Sequence, residues 1–211
     1  NYTLTQPATA ADITTQGLTV AGITADNKVY DGNATATLNL GGATLSGVAS
    51  GDTVTLNSGS AAATFADANV GTAKAVTVSG LSLGGADAAN YALTQPGTTA
   101  AITAATVTGS VTADNKTYDG TAAATIATRT LSGVVGSEDV SLTGGTATFD
   151  NKNAGSGKNV TATGLSLSGT AAGNYQLAST SATTTANITS TGLTVSGVAA
   201  NNKVYDGTRA A

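Results

Sequence analysis

The heptapeptide DNKVYDG at residues 26–32 returns as DNKTYDG at 114–120 and as NNKVYDG at 201–207, so the chain is written in repeats of about 87 residues. The three central tyrosines, Tyr30, Tyr118 and Tyr205, are spaced 88 and 87 apart. A second landmark, Asn-Tyr, falls at Asn1-Tyr2, Asn90-Tyr91 and Asn174-Tyr175. The Gly-Leu-Ser-Leu segments that begin at Gly80 and Gly164 are 84 apart, as are the two phenylalanines, Phe65 and Phe149. Every tyrosine and phenylalanine therefore sits on a repeat landmark. Aromatic rings bury the most area per residue, so fixed positions for them imply one core plan used several times. The boundaries read as the end of one repeat (1–14), two full repeats (15–103 and 104–189) and the start of another (190–211). On this reading the sequence is a piece of a longer array. The period is too long for a solenoid coil and fits a small autonomous domain repeated in tandem.

The pattern within each repeat is that of strands. Thr and Val are abundant, and β-branched residues favour extended backbone. Thr53-Val54-Thr55-Leu56 alternates as a half-buried strand does. Val76 and Val78 share one parity and Leu81 and Leu83 the other, with Gly80 at the flip; Val160, Ala162, Gly164, Leu165 and Leu167 repeat the same break. A glycine at such a flip predicts a bulge or sharp bend. The Asp-Gly pairs Asp31-Gly32, Asp119-Gly120 and Asp206-Gly207 carry hairpin-turn chemistry, because glycine accepts positive φ. Ala86 to Ala89 is the one helix-tolerant stretch and is too short to stand alone. The expectation is an all-β fold of about six to eight strands per repeat, either a small sandwich or a β-grasp-like unit. At about 3.3 Å per strand residue each repeat would add about 30–45 Å to an elongated rod.

Composition removes several function classes. Only 9% of the residues are charged and the net charge is −4, so no basic surface exists to neutralise a phosphate backbone. No apolar run reaches the ~18–20 residues that span a bilayer. Cys and His are absent, which removes the thiolate nucleophile, the usual general base and a disulfide framework. Leu, Ile, Val and Phe together make up about 18% of the chain, near the level that hints at disorder, but the high net charge of disordered chains is missing. The cores should therefore be thin and each repeat modestly stable.

The chemistry-bearing residues gather in the Lys-x-Tyr-Asp-Gly loops: Lys28, Tyr30, Asp31 and Gly32; Lys116, Tyr118, Asp119 and Gly120; Lys203, Tyr205, Asp206 and Gly207. As a calcium loop they would use Asp26 and Asp31, and Asp114 and Asp119. However, the alternate positions after Asp26 are Lys28 and Tyr30, and the twelfth is Thr37 rather than a bidentate Glu. The structural reading fits better: a corner whose tyrosine ring anchors the core while its hydroxyl reaches backbone. No cofactor is expected. A sharper alternative is a lysine–asparagine isopeptide bond, pairing Lys28 with Asn90 or Lys116 with Asn174, which requires a desolvated lysine. Glu138 is the only glutamate and has no evident counterpart in the preceding repeat. The acids Asp26 and Asp31 read as solvated turn residues rather than a catalytic pair, so the chain is not expected to be an enzyme. Sequons at Asn1, Asn33, Asn159 and Asn187 are of the number that chance supplies in a Thr-rich chain.

ITADNKVYDGNATATL at residues 23–38 and NYALT at 90–94 resemble the opening and closing motifs of the YDG and MBG-type repeats of very large bacterial exoproteins. The resemblance covers essentially the whole chain. One departure is that the second repeat opens with its apolar phase shifted by one relative to Leu18, Val20 and Ile23. The resemblance implies filamentous-haemagglutinin-like adhesins exported by two-partner secretion, and so an extracellular place on the bacterial cell surface and a role in attachment, aggregation or biofilm. It brings no catalytic residues. Two roles follow for the repeats. They are a stalk that carries an adhesive region, with neighbouring repeats as partners and host or matrix glycan or protein bound elsewhere. Alternatively, the repeats themselves bind glycan or protein, or associate with one another in a matrix. Neither nucleic acid nor membrane insertion is expected.

Overall fold

The computed structural model describes residues 1–209. It is all-β: the helical elements among these residues are two three-residue 3-10 turns, Ala88–Asn90 and Ala172–Asn174, the first overlapping the helix-tolerant alanines. The chain divides into two compact units. One comprises Asn1–Val107, Gly133–Val140 and Leu167–Ala178; the other comprises Thr108–Ser132, Ser141–Ser166 and the chain from Ser179 onward. The first unit thus contains the first full repeat and three segments of the second, 104–107, 133–140 and 167–178.

In the first unit a three-stranded sheet places Gln16–Ala21 between Tyr91–Leu93, to which it is parallel, and Thr44–Ser46, to which it is antiparallel. A five-stranded sheet runs in the order Lys28–Val29, Gly97–Thr103, Gly71–Ser79, Ala62–Phe65, Thr35–Ala36. Val20 from the first sheet and Val78 from the second share one core with Ile23 and Leu81, flanked by Leu38, Leu45, Leu56 and Leu93. Side chains of both sheets fill that core, as alternation along each strand requires. Ser82–Gly84 and Thr55–Asn57 form a separate antiparallel ladder, so the strand read at Thr53 begins two residues later.

The second unit repeats the five-stranded plan, in the order Lys116–Thr117, Ser181–Thr189, Gly155–Ser168, Ser141–Phe149, Ala123–Ala124. Strand Ala105–Ala113 begins in the first unit, where Ala105 to Val107 pair parallel with Tyr175–Leu177, and continues in the second, antiparallel to Ile126–Ser132. Its counterpart in the first repeat is broken between Ala21 and Thr24 by Gly22, at φ 79°. This one extra residue accounts for the shifted apolar phase. Leu18 and Val107 are both fully buried at the same place, and Ile23 and Val111 regain register after the glycine.

One detail corrects the sequence reading. Lys28–Val29 and Thr35–Ala36 lie on opposite edges of their sheet, so Asp31-Gly32 does not close a hairpin between them; it lies in the loop that joins the two edges. Asp119-Gly120 does the same for Lys116–Thr117 and Ala123–Ala124. Asp206-Gly207 lies in a stretch without strands. The hairpin signal misled because an Asp-Gly pair specifies a local turn and not which strands the turn connects. At Gly80 and Gly164 the φ angles are 76° and 75°, and the buried positions change parity there, from Val76 and Val78 to Leu81 and from Val160 and Ala162 to Leu165. A Cβ at Gly80 would run into the Ser60 carbonyl oxygen.

A second irregularity accompanies Asn27. Register shifts between Ala100 and Ile102, and the backbone N–H of Ala101 is met by the Asn27 side-chain oxygen at 2.7 Å. Across this bulge Ala73 is held at φ 49°, where Gly157 stands in the second repeat at φ 61°. An alanine in the left-handed region is strained by about 1–2 kcal/mol. A73G should accordingly stabilise the chain by about 1 kcal/mol, read as a higher urea midpoint at unchanged slope.

Candidate functional site

Each Lys-x-Tyr-Asp-Gly loop is organised around its lysine. The Lys28 ammonium donates to the Asn33 carbonyl at 2.9 Å, the Asn33 side-chain oxygen at 3.0 Å and the Thr35 carbonyl at 3.1 Å, and pairs with Asp31 at 2.7 Å. It also lies 6.0 Å from the centre of the Phe65 ring. Because Lys28 and Thr35 belong to opposite edges of the sheet, one side chain ties the edges together. Five flat strands at ~4.8 Å spacing would hold those edges ~19 Å apart, so the sheet must curl to allow it. Lys116 repeats the arrangement with the Thr121 and Ala123 carbonyls at 3.0 and 2.9 Å, Asp119 at 2.8 Å and Phe149 at 5.8 Å. The partnership with lysine holds the Asp31 carboxyl below the usual range and lowers Asp119 to about 2. The third loop keeps the ion pair, Lys203 to Asp206 at 2.9 Å.

These contacts place the sequence candidates. The isopeptide candidates have other partners: the Lys28 ammonium is engaged by Asp31, Asn33 and Thr35, and that of Lys116 by Asp119, Thr121 and Ala123. Of the calcium candidates, Asp31 and Asp119 are paired with lysine while Asp26 and Asp114 are exposed. Among the described residues no group of three or more acidic, His or Cys side chains gathers where a metal ion would sit. A hollow of ≈ 140 Å³ lined by Ile13, Thr14, Thr15, Ala89 and Asn90 is smaller than the ~300–1,000 Å³ of ordinary ligand pockets.

Tyr118 and Tyr205, expected to anchor cores, are exposed, as is Tyr2, and the buried tyrosines are of two kinds. Tyr91 and Tyr175 are buried, and each hydroxyl accepts a backbone N–H at 3.0 Å, from Ala49 and Val135 respectively. Each donates to a carboxylate: Tyr91 to Asp52 at 2.6 Å, Tyr175 to Glu138 at 2.6 Å. Glu138 therefore does have a counterpart. Asp52 lies 86 residues earlier, between matching Ser-Gly-Val and Val-x-Leu segments, and was missed because the residue type changes.

Tyr30 belongs to the second kind. Its hydroxyl does not reach backbone in its own repeat; it donates to the other oxygen of Glu138 at 2.7 Å, 108 positions along the chain. The Tyr30 and Tyr175 rings meet edge to face, with centroids 5.4 Å apart. Gly32 completes the approach, since a Cβ there would lie 3.1 Å from a Val135 methyl. Beside it the Asn174 side chain accepts the Val70 N–H at 2.9 Å and donates to Asn69 at 3.2 Å. All of these residues lie in the first compact unit, so within it one repeat's loop is bonded to the next repeat. The glutamate is the hub: one carboxylate oxygen serves each tyrosine. Donation to Glu138, then burial, pushes the Tyr30 hydroxyl up to about 12; burial, then Glu138, raises that of Tyr175.

The model of the YDG domain family matches the chain twice, over residues 14–101 and 98–186. The chain belongs to the YDG domain family, as two tandem copies. No curated protein and no solved structure matches it.

Three outcomes test the geometry. E138Q leaves one acceptor oxygen for two hydroxyls and should cost about 1–3 kcal/mol, whereas Y118F should be near neutral by the same urea titration. G32A should destabilise more than G120A, because both strain a positive φ but only Gly32 faces Val135; a Cβ at Gly120 meets nothing within 4 Å. The raised Tyr30 value favours the protonated hydroxyl in the folded state. Its contribution is fully present below the unfolded value near 10 and is lost as pH rises through about 12. Unfolding midpoints followed from pH 9 upward should fall in the wild type, and the fall should be smaller in Y30F.

Proposed function

We propose that these repeats are stalk modules of a large secreted bacterial surface adhesin, projecting an adhesive region outward for attachment, aggregation or biofilm formation. The bonding of Tyr30 and Asn69 in one repeat to Glu138, Tyr175 and Asn174 in the next carries this reading. Tandem modules that share buried hydrogen bonds resist bending at the joint more than modules on a free linker, and stiffness is what a spacer needs. The thin Val, Ala and Leu cores and low charge suit a passive shaft. Tyr30, Tyr91 and Tyr175 are used for core and joint, and Tyr118 is left 39% exposed. On this reading the chain works outside the cell on a Gram-negative surface, has no catalytic role, and takes neighbouring repeats as its partners.

Small-angle scattering tests it. A preformed stalk gives a maximum dimension of about 100 Å, identical in EDTA and in millimolar calcium, from ~3.3 Å per strand residue. A compact or flexible particle in EDTA that extends with calcium would instead make metal the source of stiffness. A glycan array probed with the two-repeat chain should remain blank. Specific glycan binding would make the repeats themselves the adhesive modules.

A further inference from the structure

We propose that the open face around Tyr118 is a socket for the acidic loop of the repeat that follows in the same polypeptide, so that one Tyr–carboxylate–Tyr joint recurs at every junction. The two YDG loops are built alike around their lysines, yet their tyrosines differ in occupancy. Tyr30 is 7% exposed with its hydroxyl on Glu138, whereas Tyr118 is 39% exposed. Space differs in the same sense. The position a Cβ would take at Gly32 is filled by Val135 with Glu138 behind it, and at Gly120 it is open.

The complementary face shows the opposite vacancy. In the second repeat Glu138, Tyr175 and Asn174 are all engaged by the first repeat, and Asn174 is 8% exposed. In the first repeat the same positions are held by Asp52, Tyr91 and Asn90. Tyr91 still donates to Asp52, leaving the other carboxylate oxygen without a second tyrosine, and Asn90 is exposed. Each repeat therefore carries a tyrosine-bearing face and an acid-bearing face. The contact is heterologous, so it propagates in one direction along a chain and does not close on itself. The occupant that fits Tyr118 is an acid at the Asp52/Glu138 position with a tyrosine beside it, which is what another YDG repeat supplies. Asn153, the counterpart of Asn69, would meet that repeat's Asn-Tyr asparagine.

The inference relies on the stalk reading only for its biological meaning. Scattering or glycan results could overturn that reading and leave the socket standing, and the reverse. The test is tyrosine nitration by tetranitromethane, read residue by residue by mass spectrometry. In the chain as it stands Tyr118 should react readily and Tyr30 slowly, with Tyr30 released by E138Q. Residues 104–189 are then appended directly after Thr189. Tyr118 nitration should slow about tenfold, as for a joint open roughly a tenth of the time. E138Q in the appended copy alone should restore the rate. Protection of the appended copy's counterpart of Tyr175 shows that this copy is folded. An unchanged Tyr118 rate beside a folded copy, or protection that survives E138Q, overturns the proposal. If the appended copy does not fold, the comparison is made at millimolar chain, where the Asp52 loop of a second molecule should slow Tyr118 and D52N should not; equal rates overturn it.

Discussion

A single lysine ammonium holds each repeat's five-stranded sheet in its curled form. Lys28 and Lys116 are each drawn from one edge strand to carbonyls on the opposite edge, with a carboxylate on one side and a phenylalanine ring beneath. Exposed ion pairs contribute little by themselves. Here the lysines are mostly covered and satisfy several acceptors at once, which gives them fixed geometry. That geometry sets the path of the loop that follows, and the loop presents Tyr30 and Gly32.

The joint is thus a consequence of the clasp. A tyrosine held at a loop tip by backbone constraint loses little entropy when its hydroxyl finds a carboxylate, and a glycine beside it removes the bulk that would keep the surfaces apart. Glu138 receives one hydroxyl from its own repeat and one from the preceding repeat, so internal core and junction share an atom group. Disturbing the joint therefore disturbs the packing of Tyr175. Coupling of this kind makes adjacent repeats support one another, as nearest-neighbour terms do in repeat proteins.

The asymmetry between Asp52 and Glu138 shows how the plan tolerates variation. In the first repeat Asp52 serves Tyr91 and Asp87 accepts the Thr53 N–H; in the second, Glu138 serves Tyr175 and Asp139 accepts the Thr170 N–H. The acids change place and length while the hydrogen bonds of the tyrosines persist. What is preserved is the set of partners that a buried phenol needs.

The repeat, its period, the all-β character and the phase flips at Gly80 and Gly164 were legible in the sequence, because periodicity, β-branching and glycine conformational freedom are local properties. The sequence could not show which of the landmark tyrosines are buried: Tyr30, Tyr91 and Tyr175 are, whereas Tyr2, Tyr118 and Tyr205 are exposed. Strand order was not legible: Asp31-Gly32 reads as a hairpin turn until the sheet shows Lys28–Val29 and Thr35–Ala36 on opposite edges. Nor could the sequence show that the Tyr30 hydroxyl leaves its own repeat for Glu138, or that Lys28 turns to Thr35 rather than to Asn90. Those contacts join residues whose separations, from 7 to 108 positions, carry no common period. Only the curled sheet and the docked neighbouring segments bring them within hydrogen-bond reach, and burial there selects the polar partners each must find.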